Sequence, residues 1–298
     1  MDEQALESVR KAGAIAAEAR DLGVSLVDDG ITLASVAEEV EALILKRGAG
    51  LAFPTNISIN DVAAHFTPNA DDAQKFQTGD VVKVDVGAHV NGYIGDTAAT
   101  VEVRTKNWAG LIEASARALK MATEMIADGT PVGAIGGTVQ RSILETGYRP
   151  VNNLNGHEMK QYNLHAGLSI PNIDDGSAQR IHTGMIVAVE PFATNGQGHV
   201  LNSKPGNIYR IIRDRPLRDP AAAKMFEQMK TRFNSLPFCE RWCDDLDPNA
   251  SHQLKVLLRH GVISSYAILK ETDGSRVSQA EHTLVIVNGK CEITTRSR

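Results

Sequence analysis

Cysteine is scarce in this 298-residue chain, positive charge is not in excess, and no apolar run is long; each shortage removes a class of function. Three cysteines, Cys239, Cys243 and Cys291, are too few and odd in number for a disulfide framework. Cys239 and Cys243 stand four apart in "FCERWC", on one face if that segment is helical, with His252 the nearest further donor. A zinc clip would want more partners, so the two are read as reduced, partly packed thiols. A formal net charge of −5 argues against bulk attraction to nucleic acid or an anionic membrane. No stretch approaches the roughly 20 apolar residues that span a bilayer. The acidic start "MDEQALESVRKAG" is unlike a secretory signal, so the cytoplasm is the expected location. No glycine-rich phosphate loop follows a strand. "GAIGGT" (133–138) lacks the P-loop lysine and the dinucleotide spacing, and reads as turn and cap ahead of a helix.

What is present is an ordinary globular composition, 42% hydrophobic and 22% charged, in a length that one large domain can hold. Residues 5–22 have helical periodicity, and "DDGITLASVAEEVEALILKRG" reads as a Gly turn, a Thr N-cap, a helix and a closing Gly. "AGLAFPTNISIN" and "GDVVKVDVG" follow as strands. From about 110 to 160 the plan recurs: an amphipathic helix, a Gly turn, a second helix and the extended "YRPVNNLNGHEM". That order suggests two related αβ halves and not a βαβ series. Residues 215–275 differ, with two short helices, "DPAAAKMFEQMKTRF" and "SHQLKVLLRHG", and the strand "VISSYAIL"; they read as a small helical insertion. The whole, 1–298, is expected to be a single domain.

The chemistry starts in "VVKVDVGAHVNGYIGD" (81–96), where two apolar strands each carry an aspartate. Asn91–Gly92 is a strong two-residue turn signal. Centred there, the hairpin puts Asp96 opposite Gly87, which shares a face with Asp85 because side chains alternate. Two carboxylates so placed either share a proton or share a cation. Other carboxylates sit in equally apolar company: Glu190 in "GMIVAVEPF" and Glu281 in "QAEHTLVIV", while "LNGHEM" sets His157 in an extended segment. A glutamate in such a strand needs a partner. Asp85, Asp96, His157, Glu190 and Glu281 together form an oxygen-rich set with one imidazole, which suits divalent first-row metals and can hold two of them.

The ordered segments "AFPTNISINDVAAHFTP", "DVVKVDVGAHVNGYIGDTA", "NLNGHEMKQYNLHAG", "GMIVAVEPFAT" and "AEHTLVIV" resemble the methionine aminopeptidases of type 2, in their short archaeal form, over nearly the whole chain. The resemblance implies an α+β "pita-bread" fold: two pseudo-symmetric αβ halves around a curved antiparallel sheet, with the insertion at 215–275 as the type 2 subdomain. It implies removal of the initiator methionine from nascent chains whose second residue is small. Asp85 would chelate one metal, Asp96 and Glu281 would bridge two, and His157 and Glu190 would complete the second. Glu190 would shuttle the proton of the attacking water. His65 in "VAAHFTP" would face the reacting end of the substrate, and His165 in "YNLHAG" would contact the scissile carbonyl. Phe53, Leu164 and Tyr266 would line the methionine pocket. Two divalent ions per chain are implied, with cobalt, manganese, iron, nickel and zinc all compatible. The expected partners are nascent N-termini and, transiently, the ribosome, with a monomeric chain and no specific nucleic acid or membrane. Two rivals stand beside this reading: an Xaa-Pro dipeptidase or aminopeptidase of the same fold, and a non-catalytic binding protein on it. The stretch "VLNSKPGN" lacks a histidine that eukaryotic type 2 members place near the pocket.

Overall fold

A computed structural model describes residues 1–297. The chain opens with two helices, α1 (Glu3–Leu26) and α2 (Leu33–Lys46). Asp2 caps α1 by accepting the Ala5 N–H at 2.7 Å, and Thr32 caps α2 by accepting the Ser35 N–H at 3.3 Å. The buried face of α1 is largely alanine, Ala12, Ala16 and Ala19 among them, so the helix lies close on the sheet beneath it. That sheet is β1 (Gly50–Ile59), β3 (Val81–Val90) and β4 (Tyr93–Glu102), antiparallel in the order β1-β3-β4; the short β2 (Val62–Ala64) pairs elsewhere. Val82, Val84, Val86 and Ala88 join α1 and α2 in one apolar cluster.

The second half repeats the arrangement. Helices α3 (Ala109–Met125) and α4 (Val132–Leu144) cover a five-stranded sheet in the order β15-β14-β8-β6-β7. In chain order the strands that follow α4 are β5 (Arg149–Pro150), β6 (Asn155–Met159), β7 (Ser169–Pro171), β8 (Ile186–Val189) and β9 (Phe192–Thr194). Then come β10 (Leu201–Ile211), β11 (Phe238–Cys239), β12 (Ile263–Lys270), β13 (Val277–Gln279), β14 (His282–Val287) and β15 (Lys290–Ile293). Leu111, Ile135, Val139, Ile143, Val187 and Leu284 bury a second apolar cluster, each such side chain being worth roughly 1.5–3 kcal/mol on transfer from water.

The halves are sewn together along β4 and residues 279–283. Thr283 Oγ1 accepts the Asp96 N–H at 2.7 Å and donates to the Asp96 carbonyl at 2.8 Å. Glu281 N donates to Ala98 O at 3.0 Å, and Thr97 Oγ1 donates to Glu281 O at 2.8 Å. The result is the architecture that the resemblance implies, two αβ halves around a curved antiparallel surface. Helices α5 (Pro220–Phe233) and α6 (Ala250–His260) pack with Tyr209, Phe238 and Ile263 into an apolar cluster of their own.

Three local expectations change. "GAIGGT" is not a turn and cap: it lies inside α4, where an added Cβ at Gly136 would overlap the Ile173 carbonyl, so the glycines let a loop lie against the helix. The "FCERWC" segment is a strand end and a short 3-10 turn (Glu240–Trp242), not an α-helix. Its thiols are free and buried, with the Cys243 thiol 3.5 Å from the Cys239 carbonyl. Glu190 and Glu281 fall one residue outside strands β8 and β14 and not within them, because Pro191 ends one ladder and Glu281 bonds across to β4. Among the described residues, no helix is long and apolar enough to cross a membrane.

Candidate metal centre

The β3–β4 hairpin turns at Asn91–Gly92 with φ of 52° and 82°, the positive pair a two-residue hairpin turn requires. Its register sets Gly87 opposite Asp96 and Asp85 opposite Ala98, so the two aspartates are diagonal neighbours on one face. The missing side chain at Gly87 has a use: a Cβ there would overlap the Phe53 ring, which fills that space from β1. In the second sheet β6 pairs with β8 (His157 opposite Ala188) and β8 with β14 (Val189 opposite His282). That pairing draws His157, Glu190 and Glu281 toward the hairpin. Asp96, His157 and Glu281 each offer a donor atom, and these lie within 4.8 Å of one another. His157 Nε2 is 3.6 Å from Asp96 Oδ2 and 3.7 Å from Glu190 Oε1.

All ten residues expected at the site, namely Phe53, His65, Asp85, Asp96, His157, Leu164, His165, Glu190, Tyr266 and Glu281, line one cavity. His165 stacks at a tilt on His157, with ring centroids 4.4 Å apart, and Tyr266 meets His65 edge-on at 5.2 Å. His282 points to the opposite side, where its Nδ1 meets Thr295 Oγ1 at 2.9 Å.

Burial dominates the electrostatics. It holds the Asp85 carboxyl up at about 7, against a weak counter-effect from the Gln279 amide. Asp96 is held well above the usual carboxylate range by burial and then by the charge of Asp85. Glu190 is raised likewise by burial and then by Asp96. Glu281 follows the same pattern, burial first and Asp96 next. The imidazoles move the other way: burial and then His165 push His157 down to about 3, and burial and then His65 push His165 down to about 4. Four raised carboxyls around a neutral imidazole form a site that wants positive charge.

The donor set fits a divalent metal. Asp85 Oδ1 and Asp96 Oδ1 are shielded from solvent and have no hydrogen-bond partner, an arrangement that costs free energy unless a cation meets them. Two donors each about 2.1 Å from one ion lie roughly 3.0–3.6 Å apart, close to the His157–Asp96 and His157–Glu190 spacings. A shared proton alone would leave the imidazole and the third and fourth carboxylates unexplained.

Several participants are not legible as site residues in the sequence. Asn56, Ala64, Ile208 and Pro237 complete the cavity wall. Gln279 Nε2 lies 3.4 Å from Asp85 Oδ2, 3.4 Å from Glu190 Oε2 and 3.3 Å from Glu281 Oε2. Its signal is the two-residue spacing from Glu281. Lys83, two before Asp85 on the same face, is 1% exposed, and its ammonium donates to Asn60 O and Val277 O, each at 3.0 Å. A lysine among valines in "VVKVDVG" is the trace it leaves in the sequence.

A fold of two αβ halves enclosing buried carboxylates and a neutral histidine defines a metallopeptidase, and the profile of metallopeptidase family M24 matches residues 7–215. A methionine aminopeptidase of Methanocaldococcus jannaschii is 43% identical over 99% of this chain and 100% of its own. Among solved structures, a thermophilic Arx1 superposes with a TM-score of 0.88 at 17% identity, covering 100% of this chain and 92% of that one, a likeness of fold alone. The methionine aminopeptidase of Thermotoga maritima gives 0.73 at 22% identity, covering 100% and 98%. The chain belongs to metallopeptidase family M24 and, within it, to the methionine aminopeptidases.

Proposed function

We propose that this enzyme removes the N-terminal methionine from nascent polypeptides whose second residue is small, acting in the cytoplasm as a monomer that meets its substrates at the ribosome. The observation that carries the reading is the convergence of five metal donors and two further histidines on one cavity with an apolar side. Asp85, Asp96 and Glu281 would hold one divalent ion, and Asp96, Glu281, His157 and Glu190 a second. When bound, such ions polarise a carbonyl and lower the pKa of water.

The chain's own groups supply the rest. Glu190 accepts the proton of the attacking water and returns it to the leaving amine. His165 is neutral because burial first, and then the proximity of the His65 ring and of Arg210, disfavour its charge. As a neutral ring with an N–H, it can donate to the carbonyl oxygen as negative charge develops. His65 Nδ1 meets the Ala267 carbonyl at 3.2 Å. A carbonyl only accepts, so the proton sits on Nδ1 and Nε2 is left as an acceptor for a substrate N–H. Phe53, Leu164 and Tyr266 offer an apolar wall suited to a flexible thioether. Residues 215–275 are read as an insertion subdomain within this single domain, on the strength of their separate apolar cluster.

The test is hydrolysis of Met-Ala-Ser by metal-stripped protein titrated with Mn(II), Co(II) and Fe(II), with Ala-Pro as the control substrate. Metal-dependent release of methionine is expected. Cleavage of Ala-Pro in its place would move the assignment to the Xaa-Pro enzymes, and silence on both with the metal bound would leave a binding protein.

A further inference from the structure

Among the described residues, one ion pair between a guanidinium and a carboxylate has both side chains buried: Arg241, 6% exposed, with Glu41, 8% exposed. Neither residue lines the cavity. Glu41 projects from α2, and Arg241 from the 3-10 turn that follows β11 in the helical segment 215–275. Arg241 Nη2 donates to Glu41 Oε1 at 2.6 Å, and Nη1 pairs with Oε2. Trp242 Nε1 donates to the same Oε2 at 2.8 Å, and the Thr55 N–H donates to Oε1 at 3.0 Å.

The remaining donors of Arg241 point at the chain just beyond His65. Nη2 reaches Thr67 Oγ1 at 3.0 Å, and Nε reaches the Pro68 carbonyl at 3.1 Å. Thr67 Oγ1 in turn donates to Thr55 O at 2.8 Å, and Asn207 Nδ2 holds Thr67 O at 2.9 Å. His65 itself has φ of 64°, the left-handed region that a non-glycine residue occupies at a cost of about 1–3 kcal/mol unless its surroundings over-determine it. Thr55 sits where the β1–β3 register slips between Phe53 and Asn56, so its N–H turns out to Glu41 while the residues on either side of the slip face the cavity.

We propose that Glu41 and Arg241 are positioning residues for the substrate-facing wall of the site. By this pair, the helical segment fixes His65 and the Phe53–Asn56 slip without touching substrate. A buried ion pair adds little stability over an apolar pair of the same volume. A guanidinium fork does fix direction, since its N–H groups leave in set orientations, and here they tie together α2, β1 and the His65 segment. The inference rests on the reading that His65 meets substrate, and the experiment separates the two.

Glu41→Met/Arg241→Met, Glu41→Gln and His65→Ala are made in the full chain, singly and combined. Measured for each are Tm, Mn(II) affinity by calorimetry, and kcat and KM on Met-Ala-Ser. The double methionine variant is expected to lose some Tm, because the Thr55 and Trp242 N–H groups lose their acceptor, and to keep its Mn(II) affinity while kcat/KM falls about 10- to 100-fold, the scale of a small misplacement in an active site. In the His65→Ala background the same double change should cost less than about threefold, because the group it positions is gone. Glu41→Gln should show the same pattern at about 10-fold, and it decides the matter if the double variant does not fold. Full additivity with His65→Ala would reduce the pair to a structural role and overturn the inference. So would unchanged kinetics in a folded pair variant when His65→Ala alone is impaired. If His65→Ala is itself fully active, the reading of His65 fails, and the positioning inference falls with it.

Discussion

The two halves of the molecule share one plan, a helix pair on an antiparallel sheet, yet they furnish the candidate metal centre in opposite ways. In the first half a single hairpin carries Asp85 and Asp96, and one two-residue turn fixes their geometry. In the second half His157, Glu190 and Glu281 come from three separate stretches, and long-range pairing in the order β14-β8-β6 aligns them. Local stereochemistry is enough for the first pair. The other three donors exist as a set once the second sheet has formed, and Thr283 and Glu281 tie that sheet to Asp96 and Ala98.

If both halves hold metal equally, a cut in either should cost the same. Asp96→Asn and Glu281→Gln are each expected to lower kcat/KM on Met-Ala-Ser by about 10³-fold, the several kcal/mol that metal polarisation supplies. Both should weaken Mn(II) binding by calorimetry. A large loss for one and a small loss for the other would break the symmetry and assign catalysis to one half. A smaller effect is expected from His165→Ala, which removes the proposed hydrogen-bond donor and leaves the five proposed metal ligands in place. Its kcat should fall about 10²- to 10³-fold with Mn(II) affinity retained, and a loss of metal binding in that variant would contradict its assignment.

The same contrast explains what could be read in advance. The hairpin, the opposition of Gly87 and Asp96, the Thr32 cap and the helix pairs follow from turn chemistry and periodicity, which are local. His157, Glu190 and Glu281 could be suspected from acids and an imidazole among apolar residues, but their convergence came only from resemblance, since no periodicity encodes which distant strands pair. Asn56 and Gln279 are silent in the sequence because neutral amides in strands look like edge residues. The "GAIGGT" segment reads as a turn for a related reason: its glycines answer to the distant loop at Ile173–Ser177, and not to a local turn.

Removing the metal should turn the carboxylate cluster into a pH-dependent liability. In the metal-free fold, burial holds Asp85 at about 7 and, with neighbouring charge, keeps Asp96, Glu190 and Glu281 well above their ordinary range. Folded values above unfolded ones mean that the folded chain keeps protons the unfolded chain has released. The stability they contribute is therefore full below the ordinary carboxylate range of about 4 and is lost as pH rises through the folded values, by about 1.4 kcal/mol per pH unit for each group. Chelator-treated protein should show a Tm that falls from about pH 5 to about pH 8. Saturating Mn(II) should remove or reverse that slope, because metal takes the deprotonated site. A flat metal-free profile would mean that burial does not hold the four carboxyls above their ordinary range in the folded chain.

Thr283→Val tests the seam itself. Thr283 is fully buried, and its hydroxyl both accepts from and donates to the Asp96 backbone, so the second half holds the first at the residue proposed to bridge the metals. Valine keeps the shape and removes both bonds, and the orphaned Asp96 N–H should cost about 1–3 kcal/mol. In a chain of this size that is a fall in Tm of several degrees, at about 2–4 °C per kcal/mol. The informative comparison is with metal affinity. If Mn(II) binding weakens along with Tm, the seam places Asp96 for the metal and the halves act as one site. If stability falls while metal affinity holds, the hairpin alone places its carboxylates, and the local device in the first half is sufficient.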